Sequence, residues 1–264
     1  MSRIMSTILL LFCGLSGALA LEIHSPAHCL YGCPAGSPSG NDLIIRPTHI
    51  LSSNDLTKFS DWVAYRVTPD SIGRSQARNW RKDPILADHE TLAPEDYRDA
   101  NRVLGTDRGH QAPLASFSGT SYWPDTNLLS NITPQSAALN QGAWARLEAA
   151  VRALSHESGA VYVMTGPLYE RAMPSLPTTD KAHMIPSAYW KIVAIAGDGQ
   201  LLAAGFVMDQ GTPRNATHCT KSAQLSDIES RTSLRFFHGL DAAPDVIVRF
   251  NHGDLMERLG CPLD

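Results

Sequence analysis

The sequence predicts an α+β domain around a mostly antiparallel central sheet flanked by helices, and three observations predict it. At 264 residues the chain is long enough for one large core. Four segments carry strand patterning, and two of these are separated only by the turn "GDGQ" at 197–200, a hairpin signal. Helical patterning interrupts the strands rather than alternating with every one of them, which argues against a regular parallel winding.

The chain opens Met1-Ser2-Arg3, runs apolar from Ile4 to Leu15, and then reads Ser16-Gly17-Ala18-Leu19-Ala20. Small residues at 18 and 20 form the A-x-A pattern of a signal-peptidase site, so residues 1–20 read as a secretory signal cut near Ala20. The run falls short of the roughly 20 residues that cross a bilayer, and no later segment reaches that length. The expectation is a secreted protein whose mature form has no membrane anchor. Removing the signal takes away Arg3 alone among charged residues, leaving 21 basic against 26 acidic and a formal charge of −5. A polyanionic partner must therefore be met by a local cluster of Arg and Lys, because the field of the whole molecule opposes it.

Five cysteines become four when Cys13 leaves with the signal, and an even count in an exported chain implies disulfides. Of the three pairings, Cys29 with Cys33 across "CLYGC" and Cys219 with Cys261 is the one expected. A metal site on Cys29 and Cys33 would need a second nearby pair of Cys or His, which "CLYGC" lacks. Residues 21–40 thus read as a small disulfide loop followed by the flexible connection "AGSPSG", and residues 41–264 as a single domain.

Within that domain "WVAYRVT" from 62, "AVYVMTG" from 160, "AYWKIVAIAG" from 188 and "LLAAGFVMD" from 201 read as strands. "TPQSAALNQGAWARLEAAVRALSHESG" reads as a helix, with Pro134 in its first turn and Gly159 as its stop. Trp144, Leu147, Val151 and Leu154 form its apolar face. Beside them Asn140, Trp144, Glu148 and Arg152 follow one another at intervals of four, a ridge carrying a carboxamide, a carboxylate and a guanidinium. Taken alone, Glu148 and Arg152 read as an exposed ion pair.

The stretch "TDRGHQAPLAS" at 106–116 sets Asp107, Arg108, Gly109 and His110 side by side. No serine-hydrolase elbow, H-E-x-x-H, phosphate loop or dinucleotide fingerprint accompanies it, which removes the simplest support for those chemistries. "DRGHQAPLAS" at 107–116, "NLLSNITPQ" at 127–135, "LNQGAWARLE" at 139–148, "TGPLYER" at 165–171 and "KAHMIPSAYWK" at 181–191 resemble, in order and spacing, the DNA/RNA non-specific endonuclease family, whose site is a ββα-metal (His-Me finger) motif. The likeness extends from "CLYGC" to Cys261 and is strongest to secreted Serratia-type members.

The resemblance implies a sugar-non-specific endonuclease that cleaves single- and double-stranded DNA and RNA with Mg²⁺, or Mn²⁺ as a substitute, and leaves 5′-phosphate ends. Carried over residue by residue, it makes His110 the general base, Asn140 the direct protein ligand of the metal and Glu148 the holder of the metal's waters. Arg108 and Arg78 then contact substrate or stabilise the transition state, and Arg152, Asn131 and Gln135 line the substrate site. The chemistry agrees: a neutral imidazole accepts a proton from water near pH 7, and Mg²⁺ takes oxygen ligands while keeping several waters. Asn127 is a candidate to orient the His110 ring, Asp107 reads as scaffold beside an incoming phosphate, and Gly109 as a spacer that admits substrate or a special dihedral. A homodimer is a further expectation from the family. The sequons at Asn131 and Asn215 matter only in a glycosylating host, and the first would crowd the site.

Two other readings use the same parts. A secreted metal-dependent phosphodiesterase or phosphatase of small substrates would prefer p-nitrophenyl phosphate to plasmid DNA. A catalytically dead nucleic-acid-binding protein of the same fold would retain an oligonucleotide without cutting it.

Overall fold

The computed structural model describes residues 27–262, so the expected signal peptide lies outside the described residues. Ten strands follow in chain order: β1 (Asp42–Ile45), β2 (Ile50–Asn54), β3 (Phe59–Val67), β4 (Thr106–His110), β5 (Ile132–Ser136), β6 (Val161–Leu168), β7 (Ala188–Gly197), β8 (Gln200–Asp209), β9 (Ser222–Ala223) and β10 (Ile247–Phe250). Eight of them make one sheet in the order β1-β2-β3-β6-β7-β8-β10, with β9 also paired to β8. Every pairing in it is antiparallel except that of β10 with β8. The strands expected from 62, 160, 188 and 201 are β3, β6, β7 and β8. Asp198 and Gly199, both at positive φ (51° and 71°), close the β7–β8 turn in the primed geometry that matches strand twist.

Both faces of this sheet are covered, which is why β7 and β8 read as nearly continuous apolar runs. Against one face pack α3 (Ala145–Ser158) and α5 (Gly253–Arg258), reached in order after α1 (Ala100–Leu104), α2 (Ala137–Leu139) and α4 (Leu225–Thr232). Leu147, Val151 and Leu154 of α3 meet Val63, Tyr65, Tyr189, Val193 and Phe206 there. The opposite face buries Trp62, Trp190 and Ile192 beneath Ile228 of α4, Phe236, Phe237 and Cys29. The connection "AGSPSG" is accordingly not free. Ala35 exchanges backbone hydrogen bonds with Arg235, and the Trp62 indole donates to Ser37 Oγ at 2.7 Å. The structure joins Cys29 to Cys33 and Cys219 to Cys261.

Strands β4 and β5 form a separate antiparallel pair, with Thr106 opposite Ser136 and His110 opposite Ile132. The helical segment that follows departs from the sequence expectation. Pro134 is not in a first helical turn but on β5, opposite Arg108. The helix starts three residues later, where Ser136 Oγ accepts the Leu139 amide. Residues Asn140–Trp144 then form a wide π-type turn before α3, with Gly142 at φ −107°, ψ −118°. A Cβ on Gly142 would lie 2.8 Å from the Arg214 carbonyl, so the loop that crosses here requires a glycine. Asn140 and Glu148 are therefore not two turns along one regular helix ridge. Helical periodicity records residue spacing and carries no trace of a loop arriving from position 214. Gly159, at φ 73°, ends α3 as expected.

Candidate active site

On β4, Arg108 and His110 alternate with Asp107 and Gly109, and both touch the same neighbour. The Trp80 ring lies 5.1 Å from the His110 ring, and the Arg108 guanidinium sits 5.8 Å from Trp80 and 5.3 Å from Tyr97. Arg108 also donates to the Pro94 carbonyl at 2.9 Å, while its Nε is buried without a partner. Two aromatic faces thus hold the guanidinium in a fixed direction and leave part of its donor fork available.

His110 Nε2 is 3.1 Å from Asn127 Oδ1, and Asn127 Nδ2 donates to the Ala77 carbonyl at 3.4 Å. That second bond sets which way the Asn127 amide faces, so the oxygen is what the imidazole meets. Nε2 then carries the ring hydrogen and Nδ1 keeps its lone pair. Burial pushes the His110 pKa down to about 4, the Asn127 bond opposes the shift, and the positive charge of Arg78 adds to it. Arg78 is exposed, and its charge acts on both His110 and Glu148.

Asn140 is fixed from the β4 side. Its Nδ2 donates to Asp107 Oδ2 at 2.9 Å, as does Gln141 Nε2 at 2.8 Å, while Asn101 Nδ2 donates to Asp107 Oδ1 at 3.0 Å. Asp107 is acceptor to three amides, and the nitrogen end of Asn140 is committed to it. The carbonyl end is left as a hard oxygen donor, which suits Mg²⁺. Among the described residues no trio of His, Cys, Asp or Glu ligands converges at this position, so the donor set is wrong for a structural zinc centre.

Glu148 lies on the face of α3 that meets the sheet. Burial pushes its carboxyl pKa up, against the opposing charges of Lys191, Arg152 and Arg78. Lys191 Nζ is 3.9 Å from Glu148 Oε1, whereas Arg152 forms no ion pair with it and has a buried Nη1 without a partner. The exposed Glu148–Arg152 pair that spacing alone would suggest does not form.

Two expected lining residues are held otherwise. Asn131 is fully buried; its Oδ1 accepts the Ala112 amide and its Nδ2 donates to the Ala112 and Thr126 carbonyls. Loop backbone takes its side chain, which also removes the Asn131 sequon from the surface. Gln135 is buried against Gly109, where a Cβ would lie 2.7 Å from Gln135 Cβ. Gly109 therefore makes room for the neighbouring strand, and its φ is not positive. Trp80 and Lys191 were missed in the sequence. Trp80 closes the "ARNW" tetrapeptide that contains Arg78, and Lys191 is the lone charge in the apolar run of β7.

Comparison with known proteins identifies the family of the chain. The family model described as DNA/RNA non-specific endonuclease matches residues 27–243. The chain is 45% identical over 263 residues to a nuclease of Serratia marcescens, covering 98% of each. It is 29% identical to the mitochondrial endonuclease G of Homo sapiens, covering 81% of this chain and 73% of that one. A crystal structure of an EndoG/EndoGI complex superposes with a TM-score of 0.70 at 22% identity, covering 83% of this chain and 93% of the other, which shows a shared fold. With a mostly antiparallel sheet, a β4–β5–helix unit carrying His110 and Asn140, and this extent of similarity, the chain belongs to the DNA/RNA non-specific endonuclease family.

Proposed function

We propose that this nuclease is an exported, Mg²⁺-dependent endonuclease that hydrolyses DNA and RNA, single- and double-stranded, without base preference, leaving 5′-phosphate ends. The observation that carries the reading is the His110–Asn127 hydrogen bond, which leaves Nδ1 open in a ring held neutral. His110 Nδ1 takes a proton from water, the water oxygen bonds to phosphorus, and the bond from phosphorus to the 3′ oxygen breaks. Arg108 and Arg78 offer planar donors to the phosphate oxygens as charge develops. Asn140, through its carbonyl oxygen, is the residue that would hold Mg²⁺, with Glu148 accepting hydrogen bonds from the ion's waters. Mg²⁺ when bound supplies Lewis-acid stabilisation of the departing oxygen.

Contacts of this kind go to phosphate and sugar, and so carry little base information. Export is supported by the A-x-A pattern at Ala18–Ala20 and by two disulfides, which persist in oxidising compartments. Among the described residues no helix is long and apolar enough to cross a membrane.

Plasmid DNA and RNA should be cut with Mg²⁺, left intact with EDTA, and left intact by His110→Ala in Mg²⁺. End-labelling should place the phosphate on the 5′ side. Cleavage by His110→Ala at the wild-type rate would remove His110 as the base.

A further inference from the structure

Lys191 is a fully buried ion beside the site to which the reaction above gives no task. It lies on β7 opposite Thr165 of β6 and Phe206 of β8, and its side chain is 0% exposed. The same face of β7 presents Tyr189 and Val193, both buried in the apolar layer beneath α3. A methionine would suit such a position, and a buried ammonium is costly unless its charge has a use.

Its surroundings show where that charge is directed. Nζ donates to Tyr65 Oη at 3.2 Å and stands 4.1 Å from the centre of the Trp144 ring. Glu148, at 3.9 Å, is the carboxylate paired with it among the described residues. That distance is a charge contact, too long for a hydrogen bond. Two other buried or half-buried carboxylates are supplied with donors: Asp83 accepts Arg46, Ser130 and the Ile85 amide, and Asp61 accepts Asn41 and Asn54. Glu148 has no comparable set of donors: the Trp144 indole N–H faces it and helps to hold its charge, and Lys191 stands at charge-contact distance. Arg152 and Arg78 add positive charge from α3 and from the loop before β4.

We propose that Lys191 is a positioning residue of the nuclease site. Pinned by Tyr65 and Trp144, its ammonium draws the Glu148 carboxylate into place from the core side without itself taking a hydrogen bond that the waters of the metal would use. A closer ion pair would occupy those oxygens, and an apolar residue would leave the carboxylate unsteered. This inference rests on the proposed nuclease reading, and it concerns Lys191 acting through Glu148.

A double-mutant cycle tests it, using the full-length mature protein, Lys191→Met, Glu148→Gln and the pair. Lys191→Met should lower kcat on plasmid DNA by about 10- to 100-fold with KM little changed, and weaken Mn²⁺ binding, read by the electron spin resonance of free Mn²⁺ without substrate, by a similar factor. In the Glu148→Gln background the same substitution should cost less than about twofold in either readout. Tyr65→Phe, which removes only the hydroxyl that fixes the ammonium, should lower kcat several-fold and serves in place of Lys191→Met if that variant does not fold. Equal losses in the two backgrounds, or unchanged kcat and Mn²⁺ binding in Lys191→Met or in Tyr65→Phe, would overturn the proposal. Failure of the nuclease reading itself would appear separately, as a wild-type protein that neither cuts nor binds Mn²⁺.

Discussion

Asp107 Oδ2 accepts a hydrogen bond from Asn140 Nδ2 at 2.9 Å, across 33 positions of sequence. The first strand of the β4–β5–helix unit thereby decides which end of the Asn140 amide is available. The aspartate next to Arg108 is an anion beside the proposed phosphate-binding site, but three amide donors share its charge.

Removing that acceptor should therefore impair metal use while leaving the base intact. Asp107→Ala is expected to raise the Mg²⁺ concentration needed for half-maximal plasmid cleavage and to lower the rate by about 10- to 100-fold. A magnesium titration with an unchanged midpoint and rate would mean that Asn140 holds its orientation without Asp107.

The His110–Asn127 bond makes a prediction about pH. In the wild type, burial keeps the imidazole neutral down to about pH 4. Asn127→Asp sets a carboxylate against Nε2–H, stabilises the imidazolium and raises the His110 pKa by about 1 to 3 units. A base with a raised pKa is lost at higher pH, so the acid limb of kcat/KM should move upward in this variant. An unmoved limb would place some other group in control of it.

Stability should also fall with acid. His49 is fully buried and held neutral, its pKa pushed down to about 3 by burial with Arg46 adding to the shift, and His110 behaves alike at about 4. Their unfolded forms take up protons near pH 6.5, so the stabilisation is complete above that pH and is lost as pH falls towards 4 and 3. At pH 5 the loss from His49 alone is about 2 kcal/mol. Thermal melts from pH 7.5 to 4.5 check this, with a descending melting temperature below pH 6.5 as the expected result.

The Cys219–Cys261 bridge spans a sequence separation of 42, for which chain entropy gives about 4 kcal/mol. Replacing both cysteines by serine should lower the urea midpoint accordingly, while the folded variant keeps nuclease activity, since neither cysteine touches His110, Asn140 or Glu148.

Much of the fold is legible locally. The β7–β8 hairpin could be read from "GDGQ" because its turn needs two residues at positive φ, and Asp-Gly provides them. Leu147, Val151 and Leu154 identified the buried side of α3 because a helix repeats on itself. The start of that helical segment was misread, since Pro134 is as suitable for an edge strand as for a first turn, and the pairing with Arg108 that decides between them comes from 26 residues earlier. Asn131 and Gln135 lie where a polar loop residue would line a cleft, yet backbone partners and Gly109 hold them inside.

By itself the sequence determined the α+β class, the strand segments around "GDGQ", the four cysteines that follow residue 20, and the ordered motifs that bring His110, Asn140 and Glu148 into one family pattern. Tertiary structure alone decided which nitrogen of His110 is open, which end of Asn140 faces outward, where Gly142 breaks the helix, and that Lys191 stands behind Glu148. The physical reason is range. Periodicity, turn chemistry and caps act over a few residues, whereas a tautomer or a buried charge is set by a partner brought in from elsewhere, as Tyr65 is brought to Lys191 across 126 positions.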